Sequence, residues 1–163
     1  PMDNVDIGPM VTKDARDEVH GQVMRSVDAG ASLILGGYIP DLPGSFYPIT
    51  LLSNVKPGIP AFDEEIFGPV FSIIKAKDEN NAIEMSNQTP FGLGAAVFTD
   101  DIDKGEKIAK KKLEAGICVV NDFVKSDPRL PFGGVKESGY GRELSSYGIL
   151  EFVNVKTVSV NNV

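Results

Sequence analysis

The sequence is poor in cysteine, in clustered positive charge and in long apolar runs. Cys118 is its one cysteine. A single thiol cannot close an internal disulfide, which fits a reducing cytoplasm. The net charge of −7 argues against nucleic-acid phosphate or an anionic membrane as partner, because both demand a concentrated basic surface. Lys110, Lys111 and Lys112 form the one tight basic run, at the end of a predicted helix where positive charge suits the helix dipole. They read as solvated surface. No apolar stretch approaches the ~18 residues a membrane span needs. Pro1-Met2-Asp3-Asn4-Val5-Asp6 has no basic stretch followed by an apolar one, so no signal peptide is expected. The chain also begins without Met, so a removed start or a piece of something longer is expected.

What is present is enough for a core: 163 residues, 42 % of them hydrophobic, make one domain or one domain with an appendage. A helix is predicted from Thr12, which can cap it, with Ala15, Val19, Val23 and Val27 recurring at four-residue intervals until Gly30. A short apolar strand over 31–35 ends at Gly36-Gly37, and extended chain follows over 46–52, irregular or at an edge because of Pro48. Residues 61–67 read as a loop or single helical turn, and 70–76 as a buried strand. Asp78 can cap a short helix through Ser86, and 93–99 is the next strand. A helix over 101–113 carries Ile102, Glu106, Ala109 and Leu113 along one side, and 117–121 is again strand. Strand and helix alternating in this way is an α/β signature with parallel pairing.

Beyond Asn121, Pro128, Pro131, Gly133, Gly134, Gly139 and Gly141 crowd a short stretch, which predicts a shaped functional loop. A short helix over 144–152 follows. The terminal run 153–160, apolar at Val153, Val155, Val158 and Val160, reads as a strand with no hairpin neighbour, for which another subunit is the expected partner.

Cys118 is flanked by Ile117, Val119 and Val120, a strand setting that raises a thiol's pKa and hides it, so it reads as core and as a poor nucleophile. His20 falls one residue beyond the apolar stripe at Val19 and reads as a boundary residue rather than a catalytic base. Gly139-Tyr140-Gly141 begins like a dinucleotide fingerprint, but Leu144 occupies the third glycine position and no strand feeds it. Gly134-Val135-Lys136 lacks the glycine before lysine that a P-loop requires. Both phosphate motifs fail, which disfavours a self-contained small nucleotide binder. Glu64-Glu65-Ile66-Phe67-Gly68-Pro69-Val70 sets two acids, an aromatic and a Gly-Pro break before a strand. Such a junction can aim a carboxylate at sugar hydroxyls while the aromatic packs on a flat ring. The plainer reading is an acidic loop with Phe67 in the core.

Four segments together resemble the aldehyde dehydrogenase superfamily, in that family's order. They are Ile7-Gly8-Pro9-Met10; Glu64 to Val70; Pro90-Phe91-Gly92-Leu93 with Ala95-Ala96-Val97-Phe98; and Pro131-Phe132-Gly133-Gly134-Val135-Lys136 with Ser138-Gly139-Tyr140-Gly141-Arg142-Glu143. The resemblance spans essentially the whole chain and covers the C-terminal portion of a family member. Within the family, Lys125-Ser126-Asp127-Pro128-Arg129-Leu130 ahead of Pro131 is most similar to the bacterial succinate-semialdehyde dehydrogenases.

The resemblance implies an α/β fold: part of the catalytic domain over 1–145, with parallel strands and helices, then a tail over 146–163 with an oligomerisation strand. It implies that Glu65 hydrogen-bonds the nicotinamide ribose of NAD or NADP and that Phe67 holds the nicotinamide ring. It implies that Phe132 walls the aldehyde tunnel, beside residues that vary with substrate. Among these, Ser126 and Arg129 can bind the distal carboxylate of a semialdehyde, since a guanidinium or hydroxyl matches carboxylate oxygens. For the parent enzyme it implies thiolate attack on the aldehyde, hydride transfer to NAD(P)+ and thioester hydrolysis. The family's nucleophile, general base, oxyanion asparagine and dinucleotide fold all fall upstream of Pro1, and Cys118 does not align with the nucleophile. No catalytic residue and no metal site is therefore expected here, and this chain alone is expected to be inactive. The rival reading is a non-catalytic interaction module built from the same fold. A homo-oligomer formed through 153–160 is expected on either reading.

Overall fold

A computed structural model describes residues 7–161; the leader reading made on Pro1–Asp6 lies outside them. The chain forms two compact units, Pro1–Ala82 and Ile83–Val163.

The first unit is built on helix α1 (Lys13–Asp28). Thr12 caps it, its hydroxyl accepting from the Ala15 amide at 3.1 Å, a contact worth about 1 kcal/mol. The predicted stripe delivers Val19 and Val23 to the core, joined by Ala31, Tyr47, Leu52, Val55 and Ile59. Each fully buried aliphatic side chain there contributes about 1.5–3 kcal/mol. Strands β1 (Ser32–Leu35), β2 (Thr50–Ser53) and β3 (Val70–Ser72) form a sheet in the order β1-β2-β3. The β1–β2 pair is antiparallel and β2–β3 is parallel. Between β2 and β3 lies the single turn of helix α2 (Pro60–Asp63), with proline at its start, where the missing N–H costs nothing.

Residues 70–76 were expected to be a buried strand. Only Val70–Ser72 is strand, and Phe71 and Ile73 are exposed at 57 % and 52 %. The register explains it. Thr50, Leu52, Val70 and Ser72 share one face, where Thr50 and Leu52 are fully buried, while Leu51 and Phe71 share the other. The apolar run serves two faces, and the described residues cover one of them.

Helix α3 (Glu79–Gln88) carries the boundary between the units, and Asp78 accepts from the Asn81 amide at 2.8 Å at its start. The second unit has two small sheets. Strand β4 (Phe91–Gly92) pairs antiparallel with β7 (Val135–Lys136). Strand β5 (Gly94–Val97) pairs parallel with β6 (Ile117–Val120) across helix α4 (Ile102–Lys111), a βαβ crossover. The parallel β2–β3 and β5–β6 pairs agree with the expected α/β class with parallel pairing, and the antiparallel β1–β2 and β4–β7 pairs make the fold mixed.

Asp101 caps α4, accepting from the Lys104 amide at 3.0 Å. The helix buries Gly105 and Ile108, whereas Ile102, expected on the inner face, is half exposed. The lysine run falls at the C-terminal end as expected, with Lys110 paired to Glu106 one turn back. Helix α5 (Ser145–Leu150) follows the glycine-rich segment. Residues 153–160 form no strand within the chain: they are irregular and exposed throughout, Val155 at 88 %. Their backbone has no ladder partner among the described residues, and a short apolar segment alone cannot hold a strand.

Candidate functional site

In the first unit, the segment from α2 to β3 is fastened to one face of α1. Gln22 is 7 % exposed and Ser26 fully buried, at i+3 and i+7 from Val19. The Ser26 hydroxyl donates to the Gln22 carbonyl at 2.7 Å and accepts from the Ala61 amide at 2.9 Å. The Gln22 amide nitrogen donates to the Glu64 carboxylate at 3.0 Å and to the Glu65 carbonyl at 3.1 Å. Arg25 donates to the same Glu64 oxygen at 2.8 Å. Ile66 packs against the core, and Gly68 lies so close to Val19 that a Cβ would come within 2.9 Å of its Cγ1. Pro69 accepts from the Thr50 amide at 2.8 Å, and β3 begins.

This divides the labour between the two acids. Glu64 is the anchor. The Glu65 side chain is exposed and, among the described residues, its carboxylate has no hydrogen-bond or ion-pair partner. Phe67 is 79 % exposed, which overturns the plainer reading that placed it in the core. A free carboxylate and an uncovered aromatic ring, two residues apart on a backbone tied down at Glu64 and Gly68, suit a ligand with ribose hydroxyls and a flat ring. The residues present thus fit a nicotinamide nucleotide.

His20, expected at a boundary, is half-buried, its Nδ1 3.2 Å from the Tyr47 hydroxyl. Burial pushes the Tyr47 hydroxyl above its ordinary pKa.

In the second unit, Asn121 ends β6 in the left-handed region, φ 52°. Its side chain bonds the Thr99 amide and carbonyl, both at 2.8 Å, so the ends of β5 and β6 are locked where the loop departs. The glycine-rich segment is cross-linked to itself. Phe132 and Glu143 exchange backbone hydrogen bonds of 2.8 and 2.7 Å, and Arg142 donates to the carbonyls of Gly134 and Gly141. Gly116, just before β6, meets the Gly133 carbonyl so closely that a Cβ would sit 1.7 Å from its oxygen. These glycines make a tight fold-back.

Phe132 is half-buried and lines a cavity of about 260 Å³ with Cys118, Lys125, Asp127, Leu130 and Pro131. Cys118 is only half-buried, a correction to the core position expected for it. Burial nonetheless raises its pKa, as expected, so the thiol stays protonated near neutrality. Ser126 is exposed and does not line this cavity. Arg129 is exposed too, its guanidinium donating to both oxygens of Asp127 at 2.9 and 2.6 Å. The Arg129 guanidinium and backbone amide hold the Asp127 carboxyl below the usual carboxylate range. Asp127 in turn raises Arg129 further, so the arginine is always charged.

Sequence reasoning singled out Glu65, Phe67, Ser126, Arg129 and Phe132 but missed Gln22, Arg25, Asp127 and Arg142. Gln22 left a usable signal, a polar residue spaced to fall on the apolar side of α1. Asp127 and Arg142 left none, because their partners are set by loop backbone.

Known proteins match this chain over nearly its whole length. Residues 1–158 match the model of the aldehyde dehydrogenase family. A succinate semialdehyde dehydrogenase [NAD(P)+] of Escherichia coli is 47 % identical over 152 residues, 93 % of this chain and 33 % of that one. A probable succinate-semialdehyde dehydrogenase [NADP(+)] of Synechocystis is 45 % identical, over 96 % of this chain and 34 % of that one. The crystal structure of succinic semialdehyde dehydrogenase from Streptococcus pyogenes with NADP+ as the cofactor superposes with a TM-score of 0.92 at 37 % identity, covering 98 % of this chain and 35 % of that one. The chain spans about a third of the length of the curated relatives it matches. On residues, fold and extent of match alike, the chain belongs to the aldehyde dehydrogenase family.

Proposed function

We propose that this chain is the part of an NAD(P)-dependent aldehyde dehydrogenase that presents the cofactor-facing loop and one wall of the aldehyde site, in a protein that oxidises succinate semialdehyde to succinate. The observation that carries the proposal is the Glu65–Phe67 loop, with a free carboxylate and an uncovered ring on an anchored backbone. Glu65 accepts hydrogen bonds from ribose hydroxyls, and Phe67 holds the nicotinamide ring against drift. The nicotinamide, when bound, supplies the hydride acceptor. The names of the Escherichia coli and Synechocystis relatives support both the cofactor and the semialdehyde.

On the substrate side, Phe132 shapes the aldehyde's path beside the cavity it lines. Ser126 and Arg129 take the distal carboxylate, Arg129 with the guanidinium edge that Asp127 leaves open. None of these residues is a nucleophile or general base, and Cys118, neutral and half-buried, is not a substitute. Chemistry therefore belongs to residues outside this chain. The division into a catalytic-domain part over 1–145 and a tail over 146–163 is part of the same reading, as is a cytoplasmic setting. The exposed apolar run 153–160 supports an assembly role, as an edge strand completed by another copy.

Turnover tests this. The complete polypeptide containing this segment is expected to reduce NAD(P)+ on addition of succinate semialdehyde, and the 163-residue chain alone is not. Turnover by the isolated chain, or none by the complete protein with any aldehyde, would contradict it.

A further inference from the structure

We propose that Gln22 is a positioning residue for the cofactor loop, setting the direction of Glu65 and Phe67 from the buried face of α1. The proposal rests on the cofactor reading above and adds a residue that never faces the ligand. Its basis is geometric. Gln22 is buried, and one side-chain nitrogen reaches both members of the acidic pair, the Glu64 carboxylate at 3.0 Å and the Glu65 carbonyl at 3.1 Å. The second contact is the telling one. A hydrogen bond to the Glu65 carbonyl holds the peptide plane that joins Glu65 to Ile66, the stretch of backbone from which the Glu65 side chain projects and which leads into Phe67.

Neighbouring contacts limit the remaining freedom. Arg25 shares the Glu64 oxygen from the next turn of α1. Ser26 holds the Ala61 amide upstream, and Val19 packs on Gly68 downstream. Four residues on one helix face, Val19, Gln22, Arg25 and Ser26, thus grip the segment before, at and after Glu65. Both N–H donors of the Gln22 side-chain amide are spent on partners in this one segment. Two on consecutive residues of a ligand loop indicate that loop direction is what it sets.

Variants of the complete dehydrogenase test this. Gln22→Met keeps the side-chain length and removes both donors. It is expected to weaken NAD(P)+ binding, measured as a dissociation constant, on the order of tenfold. The KM for the aldehyde should not move, and amide hydrogen exchange across 64–68 should quicken in the cofactor-free protein. On a Glu65→Ala background, Gln22→Met should add at most about twofold, because its effect passes through the same loop. A fully additive loss would mark a general packing role and overturn the proposal.

Glu64→Ala, at a partly exposed side chain, gives a second route if Gln22→Met does not fold, and it too should weaken the cofactor. Unchanged binding in these variants, with Glu65→Ala weakened, overturns the positioning role and leaves the cofactor reading standing. A Glu65→Ala protein that binds NAD(P)+ as tightly as the wild type overturns the cofactor reading and this proposal with it.

Discussion

Arg129 closes a two-point pair on Asp127, Nε to Oδ1 at 2.9 Å and Nη2 to Oδ2 at 2.6 Å, two residues away across Pro128. The Arg129 amide also donates to Asp127 at 2.9 Å, so side chain and backbone are held by one carboxylate. The pair lies on the surface and adds little to stability. Its consequence is directional, since Asp127 takes one edge of the guanidinium and leaves the other free.

From that geometry, Arg129→Ala in the complete enzyme should raise the KM for succinate semialdehyde about tenfold, the worth of one charge-assisted hydrogen bond. The KM for an uncharged aldehyde of similar length should change little. Steady-state kinetics with the two substrates checks it; equal effects on both would remove Arg129 from substrate binding.

Two close approaches predict a graded pair of stability losses. Gly116→Ala puts a methyl group onto the Gly133 carbonyl, backbone against backbone, and should cost more than about 3 kcal/mol or prevent folding. Gly68→Ala meets the Val19 side chain, which can shift, and should cost about 1–3 kcal/mol. Thermal or denaturant unfolding of the complete protein measures both. A Gly116→Ala protein as stable as wild type would contradict the fold-back described for 131–143.

Burial raises the Cys118 pKa, so its thiolate appears only as pH rises above the ordinary thiol range. Alkylation of Cys118 by iodoacetamide near pH 8 should run at least about threefold slower than that of free cysteine. It should accelerate toward alkaline pH with a midpoint above that of free cysteine, because burial raises the thiol's pKa. Mass spectrometry of the Cys118 peptide follows the reaction; fast alkylation at neutral pH would restore Cys118 as a candidate nucleophile.

Much of the fold was legible because its signals are local. Thr12 before an apolar four-residue repeat, Asp78 before its helix, and glycine or proline at element ends each name a boundary through one hydrogen bond or one forbidden dihedral. The burial of residues 70–76 was not legible, because an apolar run records how many faces need covering and not which residues cover them. The strand expected over 153–160 does not form, because nothing among the described residues pairs its backbone and an apolar pattern alone supplies no ladder partner. In the site, Glu65 and Phe67 were named from the family motif, but Glu64 as anchor emerged only with Gln22 and Arg25 in place, since that contact spans residues some forty positions apart.

The most direct test is calorimetric titration of NAD+ and NADP+ into the complete enzyme, wild type against Glu65→Ala. Loss of the proposed ribose contact should weaken the bound nucleotide by about tenfold or more, with the protein's melting temperature within a few degrees of wild type, because the Glu65 side chain is exposed and its carboxylate has no hydrogen-bond or ion-pair partner among the described residues. Equal affinity in the two proteins would contradict the assignment of the 64–68 loop to the cofactor.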